Sequence, residues 1–254
     1  MTTVATHPSE RPADTAAFTR PVPFTRLVAV HLRIWPAQRA MTAATLVAVL
    51  IGVASMLFTL GRLHAGATAT EVVRQFGTSA AAYSLLWSAI GAVAGAGPFR
   101  NKWAQLLLTF APRRGRWFAA MLASVLIWTV AAAGLFTVLC AALVLIRTGS
   151  AGAATAVVTN AGPVVVASLF AVTVGLVLGA AARGVAVPLV LAYVIAPTLP
   201  LISVHGVHLG ALVDLGGAAD HLAAGTVGWH DLTALCAWIV APAALALWRL
   251  GRGA

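Results

Sequence analysis

Residues 97–117 read GPFRNKWAQLLLTFAPRRGRW and form the most informative stretch of this chain. The stretch separates two long apolar runs, and it carries five basic residues and no acid. Between those charges, apolar residues recur with the spacing i, i+3, i+4, i+7 at Trp103, Leu106, Leu107 and Phe110. This spacing predicts a short helix with one apolar face, which ends before Pro112 because a residue that precedes proline avoids the helical region. A loop in solvent has no need of such a face, so the pattern indicates an element that docks against another surface.

The composition is that of an integral membrane protein. Of the 254 residues, 61% are hydrophobic and only 9% are charged, whereas soluble domains contain about 25% charged residues. The formal net charge of +10 would suggest nucleic acid as the partner of a soluble chain. In a membrane protein, such a charge orients the chain and meets anionic lipids. No basic segment interleaved with aromatic residues resembles a nucleic-acid-binding module, so we expect membrane lipids and no nucleic acid among the partners.

The apolar runs predict an all-α, polytopic fold with six transmembrane helices. A helix that spans a bilayer needs about 20 apolar residues. The candidate spans are residues 41–61, 79–97, 117–146, 163–182, 185–204 and 231–249. The third run is longer than a bilayer requires, so its helix should tilt or protrude.

The chain begins with a polar segment that contains four prolines, residues 1–23, and we expect a disordered cytosolic tail there. Residues 24–254 then form the membrane domain. The first residues of that domain place apolar side chains and a histidine on one helical face, at Phe24, Leu27, Val28, His31, Ile34 and Trp35. We expect an interfacial helix that lies on the membrane and is broken by Pro36, with His31 at the headgroup boundary.

The basic residues predict the orientation of the spans. If both termini are cytosolic, the inner segments hold thirteen Lys and Arg residues and the outer segments hold three. An excess of basic residues on the cytosolic side is the usual arrangement in membrane proteins. Fifteen of the sixteen basic residues are arginine in a chain rich in Ala and Gly, which suggests a bacterial genome of high GC content.

Two glycine motifs and three prolines suggest how the spans pack. The motifs Gly91-x-x-x-Gly95 and Gly175-x-x-x-Gly179 predict faces where two helices approach closely. A tight turn at Arg183-Gly184 should join the fourth and fifth spans. The three prolines of the fifth span either kink a gate or are accommodated by neighbouring helices without motion; they are Pro188, Pro197 and Pro200.

Several kinds of chemistry are missing from the sequence. No predicted span contains Asp or Glu beyond its first residue, which is Asp231 in the last span, although self-powered carriers usually place an ionisable group at mid-membrane. The single lysine, Lys102, is not part of a G-x-x-x-x-G-K-[ST] phosphate loop. No nucleophile and base stand at a recognisable spacing. We therefore predict no catalytic residue and no cofactor in this chain.

The last outer segment is rich in histidine and aspartate, and two interpretations remain open. His and carboxylate side chains are suitable zinc ligands, but their spacing matches no compact metal motif, and polar histidines in an interfacial loop explain them as well. We favour the second interpretation and predict no metal. The residues concerned are His205, His208, His221, His230, Asp214, Asp220 and Asp231.

The segment LLLTFAPRRGR at residues 106–116 resembles the LL…P-x-R segment that follows the coupling helix in permease subunits of the ABC-2 type exporter family, of the kind found in actinobacteria. The predicted order of elements also resembles that family. Where the family often has Glu followed by Gly-Thr, this chain has Arg100-Asn101-Lys102-Trp103, and Met121 stands where a Lys is common.

The resemblance implies a transport subunit and not an enzyme. A separate cytosolic ATPase would bind a cytosolic coupling helix between spans two and three. Two permease subunits, identical or different, would form the substrate path in the bacterial plasma membrane, with both termini cytosolic. The residues that the resemblance assigns to ATPase docking are Trp103, Leu106, Leu107, Phe110, Arg113, Arg114 and Arg116.

Two alternatives stand beside this interpretation. The amphipathic helix could lie on the inner leaflet with its basic residues on lipid phosphates. The chain as a whole could be a membrane protein that transports nothing, such as a scaffold, an immunity protein or a sensor. A path with few charges suits lipids, hydrophobic drugs, antibiotics or peptides.

Overall fold

The computed structural model describes residues 22–62, 68–100, 114–195, 214, 217–218, 221–222 and 225–252. The regular secondary structure in these ranges is helical, with no strand, which confirms the all-α prediction. The helices are α1 Phe24–Ala37, α2 Arg39–Gly61, α3 Ala69–Arg100, α4 Arg114–Thr148, α5 Ala151–Thr159, α6 Ala161–Ala182, α7 Ala186–Val190, α8 Trp229–Leu235 and α9 Ala241–Arg252. A π-helical turn, Leu191–Ile195, extends α7, and another, Cys236–Val240, joins α8 to α9.

Four helical segments are long and apolar enough to cross a membrane: Arg39–Gly61, Arg114–Thr148, Ala151–Ala182 and Trp229–Arg249. They contain the predicted spans 41–61, 117–146, 163–182 and 231–249. The third run forms a helix of 35 residues, about 52 Å long at about 1.5 Å per residue. This helix exceeds the bilayer core of about 30 Å.

The two remaining predicted spans are only partly accounted for. Span 79–97 lies inside α3, which contributes a shorter apolar helix, Leu86–Phe99. Span 185–204 begins as the short apolar helix Ala186–Ile195 and continues outside the described residues. The number of six spans therefore stays a prediction.

The prolines of the fifth span are likewise only partly described. Pro188 is buried in α7, whereas Pro197 and Pro200 lie outside the described residues. Beyond Pro188, the side chain of Tyr193 forms a hydrogen bond with Ser88 of α3. The beginning of the fifth span is thus packed on α3, and the choice between a gate and a fixed kink stays open.

The tightest contact in the molecule joins α3 and α6, and it uses both predicted glycine motifs. A Cβ atom at Gly91 would collide with the carbonyl of Val172, and one at Gly95 would collide with the carbonyl of Leu176. In return, a Cβ atom at Gly175 would collide with the carbonyl of Ser88. The contacting positions advance together along both helices, so α3 and α6 run parallel. The predicted close-approach faces are confirmed, and they belong to one interface.

Larger side chains fill the space between α2, α3 and α4. The rings of Tyr83 and Phe136 stack with centroids 4.2 Å apart, and the ring of Phe76 also stacks with Phe136, at 5.9 Å. Gly52 of α2 makes room for them, because a Cβ atom there would lie 2.7 Å from the Phe136 ring. All three aromatic side chains are buried. Aromatic packing therefore joins α2, α3 and α4.

Seven arginines whose side chains are described lie at one end of the helix bundle, which we call the Arg-rich end: Arg26, Arg33, Arg39, Arg114, Arg116, Arg183 and Arg249. Contacts between chain segments define this end. A Cβ atom at Gly97 would lie 3.9 Å from the side-chain oxygen of Gln38, and Arg183 lies over the ring of Phe99. The described carboxylates, Glu71, Asp214 and Asp231, belong to segments at the opposite end.

This separation agrees with the predicted charge asymmetry. Which membrane side each end faces stays a prediction.

Candidate functional site

The predicted docking loop joins α3 to α4 at the Arg-rich end. Five of its assigned residues lie outside the described residues: Trp103, Leu106, Leu107, Phe110 and Arg113. The other two, Arg114 and Arg116, form the first turn of α4. The structure therefore places the two anchors of the loop, which are the end of α3 and the start of α4, and leaves its apolar face a prediction.

The start of α4 is packed under α1. Trp117 is buried, and the ring of His31 from α1 lies 5.9 Å from it and 6.1 Å from the ring of Trp35. The indole N–H of Trp35 donates a hydrogen bond of 2.8 Å to the hydroxyl of Ser124. That hydroxyl donates in turn to the carbonyl of Met121 at 2.7 Å. An aromatic contact and a buried hydrogen bond thus fasten α1 to the first three turns of α4.

This contact changes the interpretation of α1. His31 is only 5% exposed and Trp35 only 2%, so the helical face predicted to rest on the membrane is covered by protein at these positions. Burial lowers the pKa of His31 to about 4, which leaves it neutral near pH 7. The side chain of His31 therefore contacts protein, and its position at the headgroup boundary stays a prediction. The apolar stripe was predicted correctly, but the surface it packs against is the start of α4, where Trp117 is buried.

The end of α1 also differs from the prediction. Helix α1 continues through Pro36 to Ala37, and the break falls at Gln38, whose backbone is extended. The residue that turns the chain from α1 into α2 is therefore Gln38, which lies beside Gly97 near the end of α3.

Arg114 stands at the junction of the loop and α4. One nitrogen of its guanidinium group is buried and makes no hydrogen bond to a described residue. A buried charged donor without a partner is costly, so Arg114 is suited to bind an acceptor supplied from outside the described helices. Arg116, like Arg114, is half-buried, and it forms no ion pair with a described carboxylate.

Two arginines from distant segments also meet at this end. The sequence predicted the tight turn at Arg183-Gly184, but it did not predict the contact of Arg183 with Arg249. Arg183 ends α6 in the left-handed conformation, with φ of 54°, and donates a hydrogen bond of 3.1 Å to the carbonyl of Arg249. Arg249 donates a hydrogen bond of 2.6 Å to the carbonyl of Ala181. Arginines near helix ends often bond terminal carbonyls. An arginine near a helix end is a local sequence signal. It could have predicted that each arginine caps a helix, but not that the ends of α6 and α9 meet.

The histidines of the outer segment do not form a described metal site. The side chains of His221 and Asp231 are 2.9 Å apart, while His205, His208 and Asp220 lie outside the described residues. Among the residues whose placement is known, no group of three or more His, Cys, Asp or Glu side chains is arranged for a metal. Asp231 also accepts a hydrogen bond of 2.6 Å from the N–H of Gly228, so its carboxylate stabilises the start of α8.

No protein family, curated protein or solved structure matches this chain. The interpretation of the Arg-rich end therefore depends on the residues themselves and on the resemblance of residues 106–116.

Proposed function

We propose that this chain is the transmembrane permease subunit of an ATP-driven exporter of the ABC-2 type. The observation that carries the proposal is the LLLTFAPRRGR segment, together with its place between two anchored helices. The support from the fold is that α3 is fixed to α6 by backbone contact, and that α4 is fixed to α1 by Trp35, Trp117 and Ser124. A loop between two such anchors can transmit a force to several helices at once.

In this proposal, the apolar face of the loop enters a cleft on a separate cytosolic ATPase. Trp103 and Phe110 are the aromatic anchors, because large aromatic side chains dominate the binding energy of many interfaces. Arg113, Arg114 and Arg116 pair with acceptors of the ATPase, and the unpartnered guanidinium nitrogen of Arg114 is the best placed of the described ones. The permease itself hydrolyses no ATP.

Two permease subunits face each other and form the path of an apolar substrate. ATP binding and hydrolysis in the partner change the pair between inward-open and outward-open or closed states. Because α3 and α6 have no space between their backbones at the glycines, they move as one body when the loop moves. Helix α4 moves with α1 to the extent that their side-chain contacts hold.

The proposed location is the bacterial plasma membrane, with six crossings and both termini in the cytosol. What supports it is the collection of arginines at one end of the bundle and of the described carboxylates at the other. Tags at Thr6 and Ala254 should be reached only from the cytosol, and a tag at Gly217 only from outside. Termini on opposite sides would refute the six-span topology.

The function is tested by replacing the aromatic anchors. Exchanging Trp103 and Phe110 for serine should weaken association with the ATPase by roughly 100-fold or more, because a hot-spot residue contributes about 2 kcal/mol or more and about 1.4 kcal/mol is tenfold. The matched control exchanges Phe24 and Val30 for serine. These two residues are exposed apolar residues of α1 near the same end. Co-purification is compared at equal membrane levels of the variants.

The alternative function is a membrane scaffold, immunity protein or sensor without an ATPase. It predicts that no ATP-hydrolysing protein accompanies the wild-type chain, and that the Trp103 and Phe110 variant behaves like its control. Robust ATPase activity of the purified chain alone would contradict both functions.

A further inference from the structure

Two arginines from distant parts of the chain are held together where α6 and α9 end. We call Arg183 and Arg249 the arginine pair. Each guanidinium group bonds a backbone carbonyl of the segment that carries the other arginine, and Arg183 also lies 5.5 Å above the ring of Phe99. Both positive charges are therefore held at the junction of α6 and α9 by a reciprocal pair of hydrogen bonds.

The described structure supplies no anion for these charges. Its only ion pairs, Arg74 with Glu71 and His221 with Asp231, lie at the opposite end of the bundle. The carbonyls at a helix C-terminus provide about half of a negative charge, which offsets two full positive charges only in part. The arginine pair therefore keeps a net positive charge that favours an anionic ligand.

The surroundings of the pair indicate the level at which it lies. Trp248, the residue before Arg249, is 52% exposed, and Leu245 and Leu247 are also exposed. Exposed apolar residues followed by a tryptophan and an arginine are typical of the boundary between hydrocarbon and headgroups. At this depth, the nearest abundant anions are lipid phosphates.

The donors of the pair suit a phosphate. A guanidinium group has five N–H donors in a planar fork, and each arginine of the pair uses only one nitrogen in a described hydrogen bond. The other donors remain for oxygen acceptors, and forked donors match phosphate oxygens in a bidentate manner.

We propose that Arg183 and Arg249 bind the headgroup phosphate of an anionic phospholipid, which then bridges the ends of α6 and α9. Basic pockets between helices on the cytosolic side are known to hold anionic headgroups. This inference requires the chain to lie in a membrane, but it does not require an ATPase partner. Its failure and that of the transport proposal are therefore distinguishable.

The test measures lipid retained by the purified full-length chain. The protein is reconstituted in vesicles of phosphatidylcholine in which a quarter of the lipid is phosphatidylglycerol, extracted with detergent, and analysed by mass spectrometry. Wild-type protein should retain phosphatidylglycerol in preference to phosphatidylcholine. The variant R183Q/R249Q should lose roughly tenfold or more of that preference, since each basic residue near the surface contributes to anionic lipid binding.

The matched control is R62Q/R147Q, which removes the same charge from the opposite end. An equal loss of preference in this control would overturn the proposal, because lipid attraction would then follow net charge alone. If R183Q/R249Q does not fold, R183K/R249K is used; it keeps the charge and loses the fork, and it should lose part of the preference. Retention equal to wild type in the lysine variant would overturn the proposal.

Two further outcomes identify other ligands. Complete displacement of phosphatidylglycerol by millimolar inorganic phosphate would show a site for free phosphate and overturn the lipid assignment. Unchanged lipid retention in R183Q/R249Q, combined with loss of the co-purifying ATPase, would overturn it in favour of a protein partner.

Discussion

The two anchors of the loop at residues 101–113 are built in different ways. At one anchor, α3 meets α6 through glycines, so that backbone touches backbone. At the other, α4 meets α1 through the rings of His31, Trp35 and Trp117 and one buried hydrogen bond. The first contact tolerates no added atom, whereas the second is made of side chains that can rotate, exchange protons or lose a bond. One anchor is therefore expected to be rigid and the other adjustable.

The largest effect is expected from adding one carbon atom to the rigid anchor. In Gly175→Ala, the new Cβ atom meets the carbonyl of Ser88, and α3 and α6 must move apart. Overpacking costs about 1–3 kcal/mol when side chains can yield, so a backbone collision should destabilise the fold by roughly 3 kcal/mol or more. Thermal unfolding in detergent measures the change.

Gly134→Ala is the matched control for this variant. Gly134 lies on α4, and nothing lies within 4 Å of a Cβ atom placed there. Alanine is about 1 kcal/mol better than glycine inside a helix, so this variant should be as stable as wild type or slightly more stable. A similar loss of stability in both variants would show that the α3–α6 contact is not specially tight.

The second-largest loss of stability is expected when acid protonates His31 in the adjustable anchor. The pKa of His31 is lowered from 6.5 to about 4, so the unfolded chain binds a proton at a higher pH than the folded chain. The contribution of neutral His31 to the free energy of unfolding is fully present above about pH 6.5 and is lost as the pH falls toward about 4. The total loss is at most about 3 kcal/mol. Tryptophan fluorescence should report the release of α1 from Trp117 in this range, and His31→Gln should remove this part of the pH dependence. An unchanged acid transition in the variant would exclude His31 as its cause.

The smallest effect is expected from the buried hydrogen bond of the same anchor. Ser124→Ala leaves the indole N–H of Trp35 buried without its acceptor, which should cost about 1–2 kcal/mol. Ser150→Ala is a useful comparison, because that hydroxyl only caps α5 at an exposed end and should cost about 1 kcal/mol. If the Ser124 variant weakens only the α1–α4 contact, hydrogen exchange will rise in α1 and stay low in α3 and α6.

The glycine motifs show which part of the helix packing could be predicted from the sequence. The spacing of Gly91 and Gly95, and of Gly175 and Gly179, predicted two close-approach faces, because small residues let backbones approach. It could not predict that these faces meet, since each motif is local and the partner is chosen by the topology of the whole bundle. The all-helical fold was predicted from the apolar runs for a similar reason, because a lipid environment allows few alternatives.

The apolar stripe of α1 shows where the sequence was insufficient. Periodicity correctly placed Leu27, Val28, His31 and Trp35 on one face, but lipid and a protein surface both satisfy an apolar face. The choice depends on Trp117 and Ser124, which lie more than 80 positions along the chain from Trp35. The arginine pair could not be predicted for the same reason, because its hydrogen bonds join residues 66 and 68 positions apart.

We propose that the loop between the two anchors binds an ATPase, and crosslinking in native membranes tests this binding most directly. A photoreactive amino acid is placed at Trp103 and, for comparison, at the exposed Phe24 of α1. Irradiation should join an ATP-binding protein to position 103 and not to position 24, with a yield that changes when ATP is added. Adducts with lipid alone at both positions would show that the loop is a membrane-surface helix, and would contradict the binding of an ATPase.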